Sequence, residues 1–325
     1  MYFTADTGEG PHLWRQKSDG ETAEQITNGP TTEEGIAVAP DGRSIVSSVG
    51  TARSSVWIHD ASGDRQISSE GDAESPYFSA DGTRVFYLLR RGAGQTGQLA
   101  ATELSSGRSE PLLPGVSMVS YIVSRDGQAV AYSTLDGSGS VGLWYAQLDQ
   151  RSAPRKLVPS GVVAVGAIGA SGDIFYSAQD GHGYRIGPDG KGSRQIASTL
   201  LRLPGGPAIS PDEEWASWQG SAYPLSGGKP VALGRVALRW SPDGKAVAIS
   251  LRGYHNGESV TGITPLRGNS TLPETPPGGI RNSGDLKKIP GAQVIPHPDV
   301  APGPAGSYAY TKNDTLRNLY RIPLP

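Results

Sequence analysis

The chain has no cysteine, which excludes disulfides, thiol nucleophiles and thiolate metal sites. It has no run of about 18 apolar residues of the kind that crosses a bilayer as a helix, and Met1 to Asp6 lack the basic and apolar regions of a secretion signal. Neither sign of charge dominates: Lys+Arg 29 against Asp+Glu 31 gives a net charge of −2, without the basic footprint of a nucleic-acid binder. No nucleic-acid partner and no membrane contact by this segment are therefore expected. Helix-rich folds are disfavoured by 45 glycines and 26 prolines, which cost about 1 and 3 kcal/mol per helix-interior position. What the 325 residues do contain is 36% apolar residues, six tryptophans and thirteen tyrosines, enough for the core of a turn-rich β protein.

A repeat organises that material. A strand ends in a Ser/Ala-Pro-Asp-Gly-like turn, and a short strand of Val, Ile, Ala and Tyr follows. The clear copies are Ala39-Pro40-Asp41-Gly42, Ser79-Ala80-Asp81-Gly82, Ser124-Arg125-Asp126-Gly127, Ser210-Pro211-Asp212-Glu213 and Ser241-Pro242-Asp243-Gly244. Two slots are worn, at Gly169-Ala170-Ser171-Gly172 and Pro304-Ala305-Gly306. The marker falls at 41, 81, 126, 170, 212, 243 and 305, a mean spacing of 44 residues. The turn chemistry is plain: proline presets φ, aspartate accepts from nearby backbone donors, and glycine supplies positive φ. Four short strands per period is the blade of a β-propeller. The sequence thus predicts an all-β fold, a single β-propeller over 1–325 with seven blades of four antiparallel strands; eight blades with one incomplete, or six, remain alternatives. The third-strand aromatics Trp57, Trp144 and Tyr320 are expected to pack between blades.

The ends and one excursion depart from the period. Tyr2-Phe3-Thr4, Leu13-Trp14-Arg15 and Glu24-Gln25-Ile26-Thr27 read as second, third and fourth strands without an inner one, and 308–321 repeat a second and third. A seven-blade ring would then close by pairing Glu24 to Thr27 with the last blade, in a chain that is the C-terminal segment of a longer protein and whose Met1 is not the native start. Residues 265–304 hold nine prolines, which cannot donate to a ladder. They predict a long ordered excursion between blades six and seven, with a short helical turn near Gly284 to Lys288.

The Ser-Pro-Asp-Gly turn with its apolar strand resembles the TolB-type, WD-like propeller repeat over nearly the whole chain. More narrowly, Leu13-Trp14-Arg15-Gln16, Glu33-Glu34-Gly35-Ile36 and the ending Arg317-Asn318-Leu319-Tyr320-Arg321-Ile322-Pro323 resemble the C-terminal propeller of bacterial signalling proteins, where it follows a serine/threonine kinase domain or a winged-helix regulator. The resemblance implies a non-enzymatic sensor or interaction domain that binds a protein, a peptide or a small polar ligand. It further implies a membrane-anchored parent protein and a periplasmic or otherwise extracytoplasmic placement, with the cytoplasm as the alternative. The same repeat type also occurs in the substrate-gating propeller of prolyl-oligopeptidase-like serine hydrolases, an alternative in which the catalytic domain lies outside this chain. A stand-alone lyase or lactonase is a third, and it would need a metal in the channel.

No catalytic constellation accompanies the repeat. Gly190-Lys191, Gly228-Lys229 and Gly244-Lys245 are followed by Gly, Pro and Ala, not by the Ser/Thr of a phosphate loop. No Gly-x-Ser-x-Gly elbow occurs, and His12, His59, His182, His255 and His297 fall in five different units. No catalytic residue, cofactor or metal is expected. The candidate binding face lies on the loops that enter successive inner strands: Glu33, Glu34, Asp72 and Glu74 on one side, Arg202 and Arg235 on the other. Together they would polarise the mouth of the channel, although the same charges also fit a set of solvated loops. Arg252, Tyr254 and His255 add a cation, an aromatic and an amphoteric ring at a blade rim.

Overall fold

A computed structural model describes the chain except residues 8–9, 21, 69–70, 91–95, 199–204, 252–258, 269 and 325. The turns predicted from the repeat build the blades. In 79–84, the Ser79 hydroxyl donates to Asp81 (2.6 Å), Asp81 accepts from the Thr83 N–H (3.1 Å), and the Ser79 oxygen accepts from the Arg84 N–H (3.0 Å). The same Ser-x-Asp bonds recur at Ser124 and Asp126, Ser210 and Asp212, and Ser241 and Asp243. Each turn hands an inner strand to its neighbour, so strands pair in sequence order from the axis outward. Five four-stranded antiparallel sheets result, over 72–111, 120–158, 162–198, 208–232 and 236–295. Their facing sides hold the apolar cores. One cluster joins Phe86, Leu88 and Leu99 to Val130 and Tyr132 of the next blade.

Among the described residues seven antiparallel sheets form, and the fold is an all-β propeller. The remaining two are made by the chain's ends. Strands β1 (Tyr2–Asp6), β2 (Pro11–Arg15) and β3 (Glu24–Gln25) make a three-stranded sheet. After them come β4 (Thr32–Val38), β5 (Ser44–Asp60) and β6 (Gly63–Gln66). The sequence predicts a hairpin within 44–60; β5 instead runs straight for 17 residues. The last strand, Tyr308–Pro323, does the same and lies antiparallel along β5 from Tyr308 opposite His59 to Pro323 opposite Ser44. Near the ring this gives a four-strand blade in which Val300, Tyr310, Trp57 and Gln66 stand in one row. At the far end only three strands stand together, with Thr32, Gly50 and Arg317 in a row.

Two expectations are corrected here. The ring does not close through Glu24 to Thr27, because β3 pairs with β2. Closure belongs to β5 and β6: Val56 and Ile58 of β5, with Ile67 just after β6, pack with Ala73, Phe78 and Val85 of the 72–111 blade. The physical reason is the stretch Gly50-Thr51-Ala52-Arg53, which has no Asp-Gly or Asn-Gly to reverse the chain. The equivalent stretch of the 120–158 blade turns on Asp136, which accepts from the Ser138 and Ser140 N–H groups. The proline-rich excursion, in turn, lies inside the 236–295 blade, between its third and fourth strands. There Ile280, Leu286 and Ile289 enter the blade core, and the Trp240 indole donates to the Thr271 carbonyl (2.7 Å). The predicted helical turn is present at Ser283–Leu286, capped by the Asn282 side chain.

Candidate functional site

Inner strands from six sheets surround a central cavity of about 700 Å³, within the ~300–1,000 Å³ range of ligand clefts. Much of its wall is apolar or aromatic, including Val165, Ile168, Ile209, Trp218 and Trp240. One polar part lies where side chains of the 120–158 and 236–295 blades meet the 72–111 blade, and a local irregularity creates it. Strand Asp72–Phe78 contains Pro76, which has no N–H to give to a ladder. The register slips between Glu74 and Tyr77, and Ser75 takes φ 57°, a bulge that leaves the Ser75 and Pro76 carbonyls outside the ladder. Both carbonyls are met by side chains from other blades. The Tyr121 hydroxyl donates to Ser75 (2.7 Å), and Arg239 Nη1 donates to Pro76 (3.0 Å) across 163 residues of sequence.

Arg239 is the group with the most to offer a ligand. It is half-buried, holds one backbone carbonyl, and has no carboxylate partner among the described residues. A guanidinium presents five donors in a rigid fork, so most of its capacity is unspent. Burial pushes the Tyr121 phenol well above its ordinary value and raises Tyr77 as well, with Arg239 pulling both back. Both phenols therefore stay protonated as donors near neutral pH. Arg235 stands exposed at the start of its inner strand and Arg125 at the turn ending its own, each lining the cavity. Of the lining acids, Glu213 already accepts from the Ala170 N–H, and Asp299 is not without a partner.

The predicted site residues are not brought together. Glu33 lies on β4, away from the cavity and buried, where it accepts from Thr27 Oγ1 (2.6 Å) and meets His12 Nδ1 (3.1 Å). Glu34 pairs with Arg317 (2.9 Å), Asp72 accepts from the Ser54 N–H (2.9 Å), and Glu74 pairs with Arg90 (2.5 Å). Arg235 alone of the described candidates lines the cavity. Arg202, Arg252, Tyr254 and His255 lie outside the described residues. Of the aromatics expected between blades, Trp57 packs against the cluster that joins Ile295 of the 236–295 blade to Val300, Tyr308 and Tyr310; Trp144 stacks on Tyr132 (6.5 Å), its cross-strand neighbour in the same blade, and Tyr320 is exposed on the outer half of the last strand. Sequence reasoning missed Tyr121 and Arg239. The signal that could have led to them is Pro76, a proline inside an inner strand, which marks a bulge and hence free carbonyls.

No family model matches the chain, and no curated protein matches it. Solved structures do. A structure described as a TolB from Agrobacterium tumefaciens is 16% identical, covering 82% of this chain and 99% of that one, with a TM-score of 0.60. A TolB from Acinetobacter baumannii is 12% identical over 81% of this chain and 76% of that one, TM-score 0.49. A chain of a nidogen/laminin complex is 12% identical over 66% of this chain and 89% of that one, TM-score 0.50. At such identities the likeness is one of fold. With the sequential four-strand sheets and their shared channel, it shows that this chain has a β-propeller fold similar to that of the Agrobacterium tumefaciens structure.

Proposed function

We propose that the chain is a non-enzymatic binding propeller whose channel receives a protein segment carrying a carboxylate on an otherwise apolar stretch, and that it serves as the sensor or docking domain of a longer bacterial signalling protein. The observation that carries the reading is Arg239: a half-buried guanidinium with one backbone acceptor, beside two protonated phenols and facing an apolar wall. Leaving such a charge without an anion is costly in a partly desolvated site, and an incoming carboxylate restores the balance. The wall opposite suits the side chains that flank it. A fold shared with a chain found in a nidogen/laminin complex is compatible with protein recognition, and the seven-slot repeat supports one propeller domain over 1–325.

The test uses Trp218 and Trp240 as reporters in the cavity wall. Titration with a Phe-Glu-Phe peptide acetylated at its N-terminus and amidated at its C-terminus is expected to change their emission, and the Phe-Gln-Phe counterpart to bind at least about tenfold more weakly, as for loss of one charge-assisted hydrogen bond. Arg239→Gln should remove the difference between the two peptides. Equal binding of both peptides by the unaltered chain would refute the proposal.

A further inference from the structure

The last strand carries an unsatisfied feature at the opposite end of the composite sheet. The inward apolar residues of third strands elsewhere are covered: Leu99, Leu143 and Ala222 are 0% exposed and Ile58 1%. In the last strand, which stands in the third position beside β4 and β5, Leu316 and Leu319 are 77% exposed and Tyr320 52%. One side of this stretch pairs with β5. On the other, Val300–Pro302 reaches only Tyr308 to Tyr310, and no further strand follows among the described residues. A long unpaired strand with apolar side chains is a template for another strand.

Native edges are guarded by charge, and here the guards are turned away. Arg317 reaches back across β5 to Thr32 Oγ1 (2.7 Å), the Ser48 carbonyl (3.2 Å) and Glu34 (2.9 Å). Arg321 Nε donates to Ser44 Oγ (2.7 Å), and its Nη2 lies 3.4 Å from Asp41. Both cations are spent on their own sheet, leaving the edge open.

The sequence of the edge is complementary to itself. Two copies of one strand can pair antiparallel about a twofold axis only with one residue opposite its own copy, because directly opposed residues share a face. Centring the axis on Asn318, the middle of the open stretch, sets Leu316 opposite Tyr320 of the second copy and Tyr320 opposite its Leu316. Arg317 then meets Leu319, Arg321 meets Thr315 and Asp314 meets Ile322, so no like charges are opposed. Centring on Arg317 would set two arginines face to face, and centring on Leu319 would oppose Arg317 to Arg321.

We infer that this edge is the dimer interface of the chain: the stretch 313–323 pairs antiparallel with the same stretch of a second copy, centred on Asn318, joining two composite sheets into one. The aromatic and aliphatic groups now in water become cross-strand pairs at its centre, and the interface is isologous, as a closed twofold requires.

Because the chain contains no cysteine, single cysteines report the register cleanly. Asn318→Cys is expected to give a covalent dimer under mild oxidation, since directly opposed residues lie ~4.5–5.5 Å apart, within disulfide reach. Leu316→Cys or Tyr320→Cys alone should give almost none, and the two substitutions combined in one chain should restore cross-linking. Sedimentation should show a dimer for the unaltered chain and a monomer for Leu316→Glu with Tyr320→Glu, with unchanged circular dichroism because both positions are solvent-exposed. A monomer at every concentration, a dimer indifferent to the two glutamates, or cross-linking of the Asn318→Cys chain no faster than that of an Asn313→Cys chain would each overturn the inference. So would protection of 316–320 in a monomer, which would mean that another part of the chain covers the edge.

Discussion

Asp81 shows how one side chain sets a blade. Its carboxylate takes the Ser79 hydroxyl, the Thr83 N–H and the Thr83 hydroxyl at once, so the reversal after the inner strand is held by local bonds before any packing occurs. The Ser79 hydroxyl, then the Thr83 N–H, hold the Asp81 carboxyl below its usual range, and Ser124 with the Gln128 N–H do the same for Asp126. A carboxylate with a depressed native pKa adds stability that is complete above its unfolded value, about 3.9, and lost as pH falls through the lower native one. Asp81→Ala should therefore lower unfolding stability by about 1 kcal/mol at neutral pH. Denaturant titrations of both forms should converge as pH drops below about 4. A gap that stays constant into strong acid would mean that the turn draws nothing from the ionised group. The fifth turn makes the contrast: Glu213 replaces the usual glycine, accepts φ 56°, and spends its carboxylate on the Ala170 N–H of the preceding blade.

At the scale of elements, the crossing of β5 with the last strand depends on Gly50. A Cβ there would collide with the Leu316 carbonyl and the Arg317 backbone, so glycine is required by close approach and not by its φ. Gly50→Ala should cost about 1–3 kcal/mol, as overpacking does, and should be read as faster amide exchange in 44–50 and 316–323 with 120–198 unchanged. Uniform acceleration over all blades would instead show that the composite sheet and the ring open together. Glu33 is a second joint, tying β4 to β2 through His12 and to Thr27. Glu33→Ala would leave the buried His12 ring without its carboxylate and loosen the β1–β3 sheet by about 3 kcal/mol, visible as proteolysis within 1–27 at an unchanged ring melting temperature. These elements also show what was legible. Four of the five meandering sheets could be read from their Ser-x-Asp turns, and the 162–198 sheet from the spacing of its worn slot, because a turn's chemistry is local. The straight β5 could not, since its partner lies some 250 residues away and only the missing turn at 50–53 hinted at it. Arg235 was found by its position before an inner strand. Tyr121 and Arg239 were missed because alternation along a strand tells which face a residue takes but not which blade it will meet across the channel.

For the whole molecule, a ring is only as stable as its last seam, and here that seam joins residues 56–66 to 300–311. Tyr308, Ala309 and Tyr310 are buried at the junction. Val300, Tyr308 and Tyr310 cluster there with Ile295, while Ala309 packs with Val56 and Ile58. The outer half of the same strand, beyond Lys312, covers none of this and lines none of the channel. Two truncations separate the roles. A chain ending at Asn313 keeps all four closing strands, so it should melt cooperatively near the temperature of the full chain, keep an Arg239-dependent response in the channel, and lose the dimer. A chain ending at Ser307 loses the second strand of the closing blade and two buried tyrosines. Large-to-small losses in a core cost several kcal/mol, which in a domain of this size lowers Tm by on the order of 10 °C, with broadening as the seam opens before the blades. Melting followed by far-ultraviolet circular dichroism and tryptophan emission distinguishes the two. If both truncations behaved alike, closure would not run through β5 and β6, and the channel would owe its shape to the blades alone.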